Sequence, residues 1–120
     1  MCPWAPAEFD GALTRIFAQD YTLLAPAIDI FTPLIYAQKS GRPAHWGRGF
    51  LAAASAFVPS THPVQLILDA IDFPESLLAL VDAQPPSWGL QIFGGAAVFG
   101  KPEWAEIFRS TVERIEATHF

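Results

Sequence analysis

The residues best suited to binding a ligand lie in a loop rich in glycine and basic side chains, residues 39–49 (KSGRPAHWGRG). The loop leads into an alanine-rich segment that begins at Phe50 and is typical of a short helix. Free backbone amides at a helix start, together with arginine side chains, favour a phosphate or carboxylate ligand. The alternative is a solvated connection whose basic residues keep an apolar chain in solution. The candidate anion-binding residues are Arg42, His45, Trp46 and Arg48.

A second segment, Gly95–Lys101 (GAAVFGK), satisfies the pattern GxxxxGK of nucleotide-binding loops. That pattern continues with Ser or Thr, whose hydroxyl binds magnesium, but Pro102 stands here. Val98 and Phe99 are also poor residues for a backbone cradle around phosphates. Too few residues follow to supply the remaining strands of such a fold, so we interpret the match as chance.

Three acidic residues, Asp69, Asp72 and Glu75, recur at three-residue spacing. On a helix Gln65 would share a face with Asp69 and Asp72. A solvated polar face is the favoured interpretation, and a metal site or a general-acid pair is the alternative.

Other potentially reactive residues lack a spacing specific to catalysis. His62 lies in a proline turn and is interpreted as a loop or capping residue, and Ser55 lacks the glycines of a nucleophile elbow. The three histidines show no ligand spacing, and Cys2 is the only cysteine. We therefore predict no metal site, no cofactor and no internal disulfide, and we assign no catalytic residue.

The chain is poor in charge. Of its 120 residues, 52% are hydrophobic and 16% are charged, against a usual charged fraction of about 25%. So few charges cannot coat an ordinary monomer. Either a partner protein, a second copy or a membrane surface covers part of the chain, or its exposed surface is unusually apolar.

The net charge of −5 arises in residues 61–120, which carry three basic and eight acidic side chains. Binding to nucleic acid needs clustered Lys and Arg, so we predict that the protein does not bind it. An acidic chain suits a basic protein partner better.

We expect a cytoplasmic protein without a membrane span. The chain opens without the basic and apolar regions of a signal peptide. Its longest uncharged run, Gly49–Leu68, is interrupted by Pro59 and Pro63. This run therefore predicts two separate elements of a globular domain.

The clearest element is a helix that begins at Pro102. Proline fits the first helical position, and Glu103 suits the positive end of the helix dipole. The apolar side chains recur every three or four residues and form one stripe, which comprises Trp104, Ile107, Phe108, Thr111, Val112 and Ile115.

Before this helix, two short apolar runs, Leu90–Phe93 and Ala96–Phe99, flank Gly94 and Gly95. The glycine pair predicts a tight hairpin, with one strand kinked at the glycines as the alternative. Bulky apolar residues on both faces predict strands that are buried on both sides.

The remaining elements are less regular. Val64–Asp72 fits both a strand and a helix. Helices are predicted at Pro6–Gln19, Phe50–Val58 and Pro74–Ala83, and short extended pieces near Ala27–Phe31 and Leu34–Ala37.

These elements predict a single compact α+β domain over residues 1–120, with amphipathic helices at both ends around a small sheet; an all-α domain is the alternative. The favoured function is a non-catalytic interaction module, such as a small subunit, a chaperone-like protein or an inhibitor of a basic protein. It would self-associate or bind a protein partner through an apolar surface. The alternative is a small-molecule binder or small enzyme that holds an anion in the loop 39–49. The predicted interface residues are Phe93, Phe99, Trp104, Ile107, Phe108, Val112 and Ile115.

Overall fold

A three-stranded parallel sheet lies at the centre of the structure, a computed structural model that describes residues 5–72, 74–81, 83 and 88–119, apart from the side chains of residues 118 and 119. Its strands are β1 (Leu34–Ile35), β2 (Val64–Asp69) and β3 (Trp88–Phe93), in the order β1-β2-β3. β2 and β3 pair along all six residues. β1 contributes two pairs to β2, and Phe31 adds an isolated parallel bridge to Val64.

Six α-helices accompany this sheet in the described ranges. They are α1 (Ala12–Phe17), α2 (Tyr21–Leu24), α3 (Trp46–Ala54), α4 (Glu75–Leu78), α5 (Gly95–Phe99) and α6 (Pro102–His119). Turns of 3-10 helix occupy Ala25–Ala27, Gln38–Ser40 and Ala70–Asp72. The Cα radius of gyration is 14.4 Å, close to the roughly 13.6 Å of one compact domain of this length. The predicted compact α+β domain is confirmed.

The ambiguous segment Val64–Asp72 is a strand that ends in a 3-10 turn. Strand pairing on both sides of β2 buries its alternate residues, which outweighs the weaker helical periodicity. The chain crosses from β1 to β2 through α3 and from β2 to β3 through α4, and such crossovers make neighbouring strands parallel.

The predicted hairpin at Gly94–Gly95 is wrong. Only Gly94 has a positive φ (76°), and it caps the start of α5, so Ala96–Phe99 is helical. A two-residue hairpin turn of the Gly-Gly type requires positive φ at both central residues. The predicted burial on both faces is also wrong, because the Phe93 side chain is 60% exposed.

Several helix boundaries differ from those predicted. α1 begins at Ala12 and not at Pro6, because Phe9, Asp10 and Gly11 all have positive φ, which an α-helix excludes. α3 begins at Trp46, inside the predicted loop, and ends at Ala54. α4 covers only Glu75–Leu78. The terminal helix from Pro102 is confirmed.

The hydrophobic core lies on one face of the sheet. The register places Ile35 beside Leu68, and Leu66 beside Leu90, on this face. α3 packs against it so closely that a methyl group on Gly47 would lie 3.3 Å from Ile35 Cγ2. The largest fully buried side chains of the core include Phe31, Phe50, Leu77 and Leu80.

Candidate functional site

The opposite face of the sheet lies outside the hydrophobic core, and we call it the open face. Side chains two residues apart on a strand share a face, and Phe93 is the most exposed aromatic side chain on this one. None of its residues belongs to the core cluster of the described residues, and all but Asp69 are half-buried or exposed. They are Leu34, Tyr36, Gln65, Ile67, Asp69, Gln91 and Phe93.

Asp69 at the carboxyl end of β2, opposite Phe93 in the register, is the charged residue of this face among the described strands, and its buried carboxylate pairs with Lys39. The Gln91 amide Nε2 donates to Gln65 Oε1 at 2.7 Å, which partly satisfies its two amide groups. The rings of Tyr36 and Phe93 lie 5.9 Å apart between centroids. Parallel sheets usually carry helices on both faces, so this partly exposed face, whose carboxylate is already paired, is an unusual surface for a small domain.

The outer edge of β3 borders the open face. The amides of Gln65 and Ile67 in β2 donate to Phe31 and Pro33, on the β1 side. Since successive residues direct their backbone groups to opposite sides, the parallel register directs the amides of Gly89 and Gln91 to β2. The amides of Leu90 and Ile92 therefore point to the outer edge, where the described sheet has no further strand.

A groove of about 370 Å³ lies on the core side of β3, against α6. The Phe99 and Phe108 rings meet edge to face in this region, with centroids 5.4 Å apart. Its apolar lining includes Trp88, Leu90, Ile92, Phe99, Phe108, Val112 and Ile115, and Glu116 adds a carboxylate.

The seven predicted interface residues divide between three places. Phe99, Phe108, Val112 and Ile115 line the groove, and Phe93 lies on the open face. Trp104 and Ile107 pack against the hydrophobic core. Phe93 and Phe99 are the most exposed of the seven, at 60% and 59%. A contact of these residues with a partner stays a prediction.

The structure brings together two of the four predicted anion-binding residues. The Arg42 guanidinium carbon lies 4.2 Å from the centre of a Trp46 ring, and Arg42 Nη1 pairs with Glu8 Oε1 at 2.5 Å. His45 is exposed at the N-cap of α3, and Arg48 is exposed within that helix. Glu8 thus already offsets the charge of Arg42, and an anion at this loop stays a prediction.

Asp69, Asp72 and Glu75 do not form a solvated helical face. That interpretation is wrong for Asp69 and Asp72, which are buried. Asp69 and Asp72 are buried at the carboxyl end of β2, whereas Glu75 is exposed at the start of α4. The backbone amide of Gln38 donates to Asp72 Oδ1 at 2.9 Å. This bond connects the turns that follow β1 and β2.

Lys39 is a residue whose role the sequence alone did not reveal. Its ammonium bonds Asp69 Oδ2, and the Ile71 amide donates to Asp69 Oδ1 at 3.1 Å. Burial opposes ionisation of Asp69, but these bonds and the lysine charge hold its pKa below the usual value. The bond to Asp69 raises the pKa of Lys39. Parallel strands end at the same edge, which would have indicated this contact once Val64–Asp69 was known to be a strand.

The other polar candidates form hydrogen bonds with backbone carbonyls. His62 Nε2 donates to the Ala25 carbonyl at 2.9 Å, and exposed Ser55 donates to the Ala52 carbonyl at 2.7 Å. The part of the chain that the structure describes contains no group of three or more His, Cys, Asp or Glu residues suited to a metal ion. Within the same part, every helix is too short or too polar to cross a bilayer.

Comparisons of the chain with protein-family models, with curated proteins and with solved structures found no match. The surfaces and pockets of the molecule are therefore the basis for a functional proposal.

Proposed function

We propose that the protein is a small non-catalytic interaction module that self-associates through the open face of its sheet. The observation that carries the proposal is a parallel sheet whose face outside the hydrophobic core carries Leu34, Tyr36, Ile67 and Phe93, each of them half-buried or exposed. Burial of apolar surface contributes about 25 cal/mol per Å². A partner that covers the apolar part of this face gains that energy, and the Asp69 carboxylate at its end is already buried and paired with Lys39.

A second copy of the chain suits this surface. Lys39 already pairs with Asp69, the charged residue of the open face. Two open faces can therefore meet without bringing unpaired like charges together, although each chain has a net charge of −5. β3 also lacks the charged residues and prolines with which edge strands usually resist pairing. Face-to-face packing and edge pairing of β3 would both involve Gln91 and Phe93.

The negative net charge also suits a basic protein as the partner. The experiment below distinguishes such a partner from a second copy of the chain. The proposed location is the cytoplasm, to which a chain with a single cysteine is suited.

The test is light scattering behind a sizing column over a wide dilution range. We expect a mass of two or more chains of 13.1 kDa. Phe93→Lys and Gln91→Lys place a charge on the open face at exposed positions, so both should shift the protein to the monomer. Leu23→Lys is the matched control, because Leu23 is exposed on α2, outside the open face.

Phe99→Lys separates the two apolar surfaces, because Phe99 lines the groove and not the open face. If Phe99→Lys alone caused dissociation, the groove and not the open face would be the interface. A monomer at every concentration, with no co-purifying protein, would refute the interaction proposal. A stoichiometric basic protein that co-purifies, and that Phe93→Lys releases, would replace the second copy as the partner.

A further inference from the structure

The outer edge of β3 adjoins the apolar groove, because Leu90 and Ile92 belong to both. Their side chains line the groove, and the register directs their backbone amides away from β2. In a parallel ladder the carbonyl of a residue points to the same side as its amide, so each residue offers one donor and one acceptor at the edge. Within the described sheet these four backbone groups have no strand partner.

The spacing and exposure of these groups suit an extended chain. Leu90 and Ile92 are two residues apart, so their donors repeat about every 6.6 Å, which is the repeat of any other strand. Both residues are half-buried, and Gln91 between them is exposed. A segment in the extended conformation can therefore reach both donors and both acceptors at once.

The groove can take the side chains of such a segment. Side chains of a strand alternate between the two faces of its sheet, so every second side chain of a strand added to β3 would point to the core side, where the groove lies. Phe99 of α5 and Phe108, Val112 and Ile115 of α6 provide its apolar wall. The volume of about 370 Å³ is within the roughly 300–1,000 Å³ typical of ligand pockets.

The charge beside the groove favours a basic partner over a second copy. Glu116 is the charged residue of the described lining, it is exposed, and it takes part in none of the ion pairs between described side chains. Pairing of two β3 edges would bring Trp88–Phe93 (WGLQIF) to this site, and that segment has no basic residue for Glu116. A Lys or Arg in the added segment would complement it.

We propose that β3 and the groove bind an extended, basic and aliphatic segment of a partner protein, which joins the sheet as a further strand. Its backbone bonds to Leu90 and Ile92, its alternate aliphatic side chains lie in the groove, and a basic side chain pairs with Glu116. In such strand addition the backbone bonds provide affinity and the side-chain pockets provide specificity. This inference goes beyond self-association, because it concerns the edge and the core side of β3 and not the open face.

The test is fluorescence anisotropy with a labelled, capped heptapeptide in the order lysine, threonine, valine, threonine, valine, threonine, lysine. In a strand its lysines and valines share one face, and the symmetric order makes the peptide independent of strand direction. We expect saturable binding to the full chain. Glutamate in place of both lysines should weaken it.

Two N-methylated peptides distinguish strand addition from simple apolar contact. One carries methyl groups on the two valine amides and the other on two threonine amides. Successive amides of a strand point to opposite sides, so only one set can donate to β3. One peptide should lose about tenfold or more in affinity, as expected for two hydrogen bonds, and the other should bind within about twofold of the parent peptide.

Hydrogen exchange locates the contact on the chain. The peptide should slow amide exchange at Leu90 and Ile92, whose amides point to the outer edge, and should hardly change it at Gln91, whose amide already points to β2. Slower exchange at Gln91 without a change at Leu90 and Ile92 would contradict strand addition at this edge.

Charge reversal tests the role of Glu116. Glu116→Lys should weaken binding of the lysine peptide about threefold to fivefold and strengthen binding of the glutamate peptide. Glu113→Lys is the matched control, because Glu113 is exposed on the same helix and does not line the groove. Equal effects of the two variants would reduce the contact to general charge attraction and overturn the proposal.

Two further outcomes would overturn it. Equal binding of both N-methylated peptides would show that the groove takes apolar side chains without strand pairing. Peptide binding that disappears at concentrations where light scattering shows an oligomer would make a second copy the occupant of the edge. A monomeric chain that still binds the peptide would refute self-association and leave this site intact.

Discussion

The ammonium of Lys39 bonds the buried carboxylate of Asp69 across the carboxyl ends of two neighbouring parallel strands. Asp69 also accepts the Ile71 amide, so one carboxylate connects the turn after β1 with the turn after β2. Residues of the same two turns line a polar pocket of about 220 Å³.

This pair should make stability depend on pH at both extremes. The pKa of Asp69 is lowered on folding, so its contribution is present above the unfolded pKa of about 3.9 and is lost as the pH falls through the lower folded pKa. The pKa of Lys39 is raised. Its contribution is present below the unfolded pKa of about 10.4 and is lost as the pH rises through the higher folded pKa.

Urea denaturation of Lys39→Met and the parent should therefore differ at neutral pH, with the variant less stable, and converge below about pH 4 and above about pH 10.5. Asp10→Asn is the control, because the Asp10 side chain is fully exposed and lies 4.0 Å from Arg15. A constant difference between Lys39→Met and the parent from pH 3 to pH 11 would contradict the ion pair.

Two glycines of α3 should respond oppositely to alanine. Gly49 has open space where a methyl group would lie, so Gly49→Ala should stabilise the protein by about 0.5–1 kcal/mol through helix propensity alone. A methyl group on Gly47 would lie 3.3 Å from Ile35 and 3.4 Å from Leu80. Overpacking costs about 1–3 kcal/mol, so Gly47→Ala should be neutral or destabilising by up to about 2 kcal/mol.

The midpoints of urea unfolding measure both changes, since the two variants should share the same dependence on denaturant. Equal stabilisation by both substitutions would show that α3 does not pack against the sheet as closely as described.

Elements whose signals are local could be predicted from the sequence. The terminal helix has a proline at its start, acidic residues in its first turn and a continuous apolar stripe, and it begins at Pro102 as expected. Three groove-lining residues, Phe108, Val112 and Ile115, followed from the same stripe. Helix geometry determines which side chains of the stripe share a face, so that face can be predicted without knowledge of the fold.

Features that depend on pairing between distant strands could not be predicted. The three-residue spacing of Asp69, Asp72 and Glu75 resembles a helical face, but β2 ends at Asp69 and Asp72 lies in a turn. Only the register of all three strands shows that Leu34, Ile67 and Phe93 share the open face. At Gly94, one positive φ directs the chain into a helix, and a glycine pair alone does not distinguish this from a hairpin.

Replacement of Ala18 by glycine should stabilise the protein. It caps the end of α1 with a φ of 53°, in the left-handed region that glycine adopts without a Cβ clash. Ala18→Gly should raise the free energy of unfolding by about 0.5–1 kcal/mol. The same substitution at exposed Ala52, inside α3, should lower it by about 1 kcal/mol. Destabilisation of similar size at both positions would contradict the left-handed cap.

The GxxxxGK match should bind no nucleotide. Residues 95–99 form α5, and the amides that follow are already bonded, Gly100 to the Ala96 carbonyl at 3.0 Å and Lys101 to the Val98 carbonyl at 3.2 Å. A phosphate cradle needs such amides free. The Lys101 ammonium lies 3.8 Å from the centre of a Trp104 ring, where it contacts an aromatic face.

Thermal unfolding with and without magnesium and ATP tests this expectation, because a ligand that binds only the folded state raises the melting temperature by mass action. The parent and Lys101→Ala should show the same melting temperature change, equal to that caused by matched ionic strength. Arg109→Ala, which removes an exposed basic residue of α6, controls for general attraction of anions. A magnesium-dependent rise that Lys101→Ala abolishes and Arg109→Ala retains would establish a nucleotide site, and α5 would then have to unwind to free its amides.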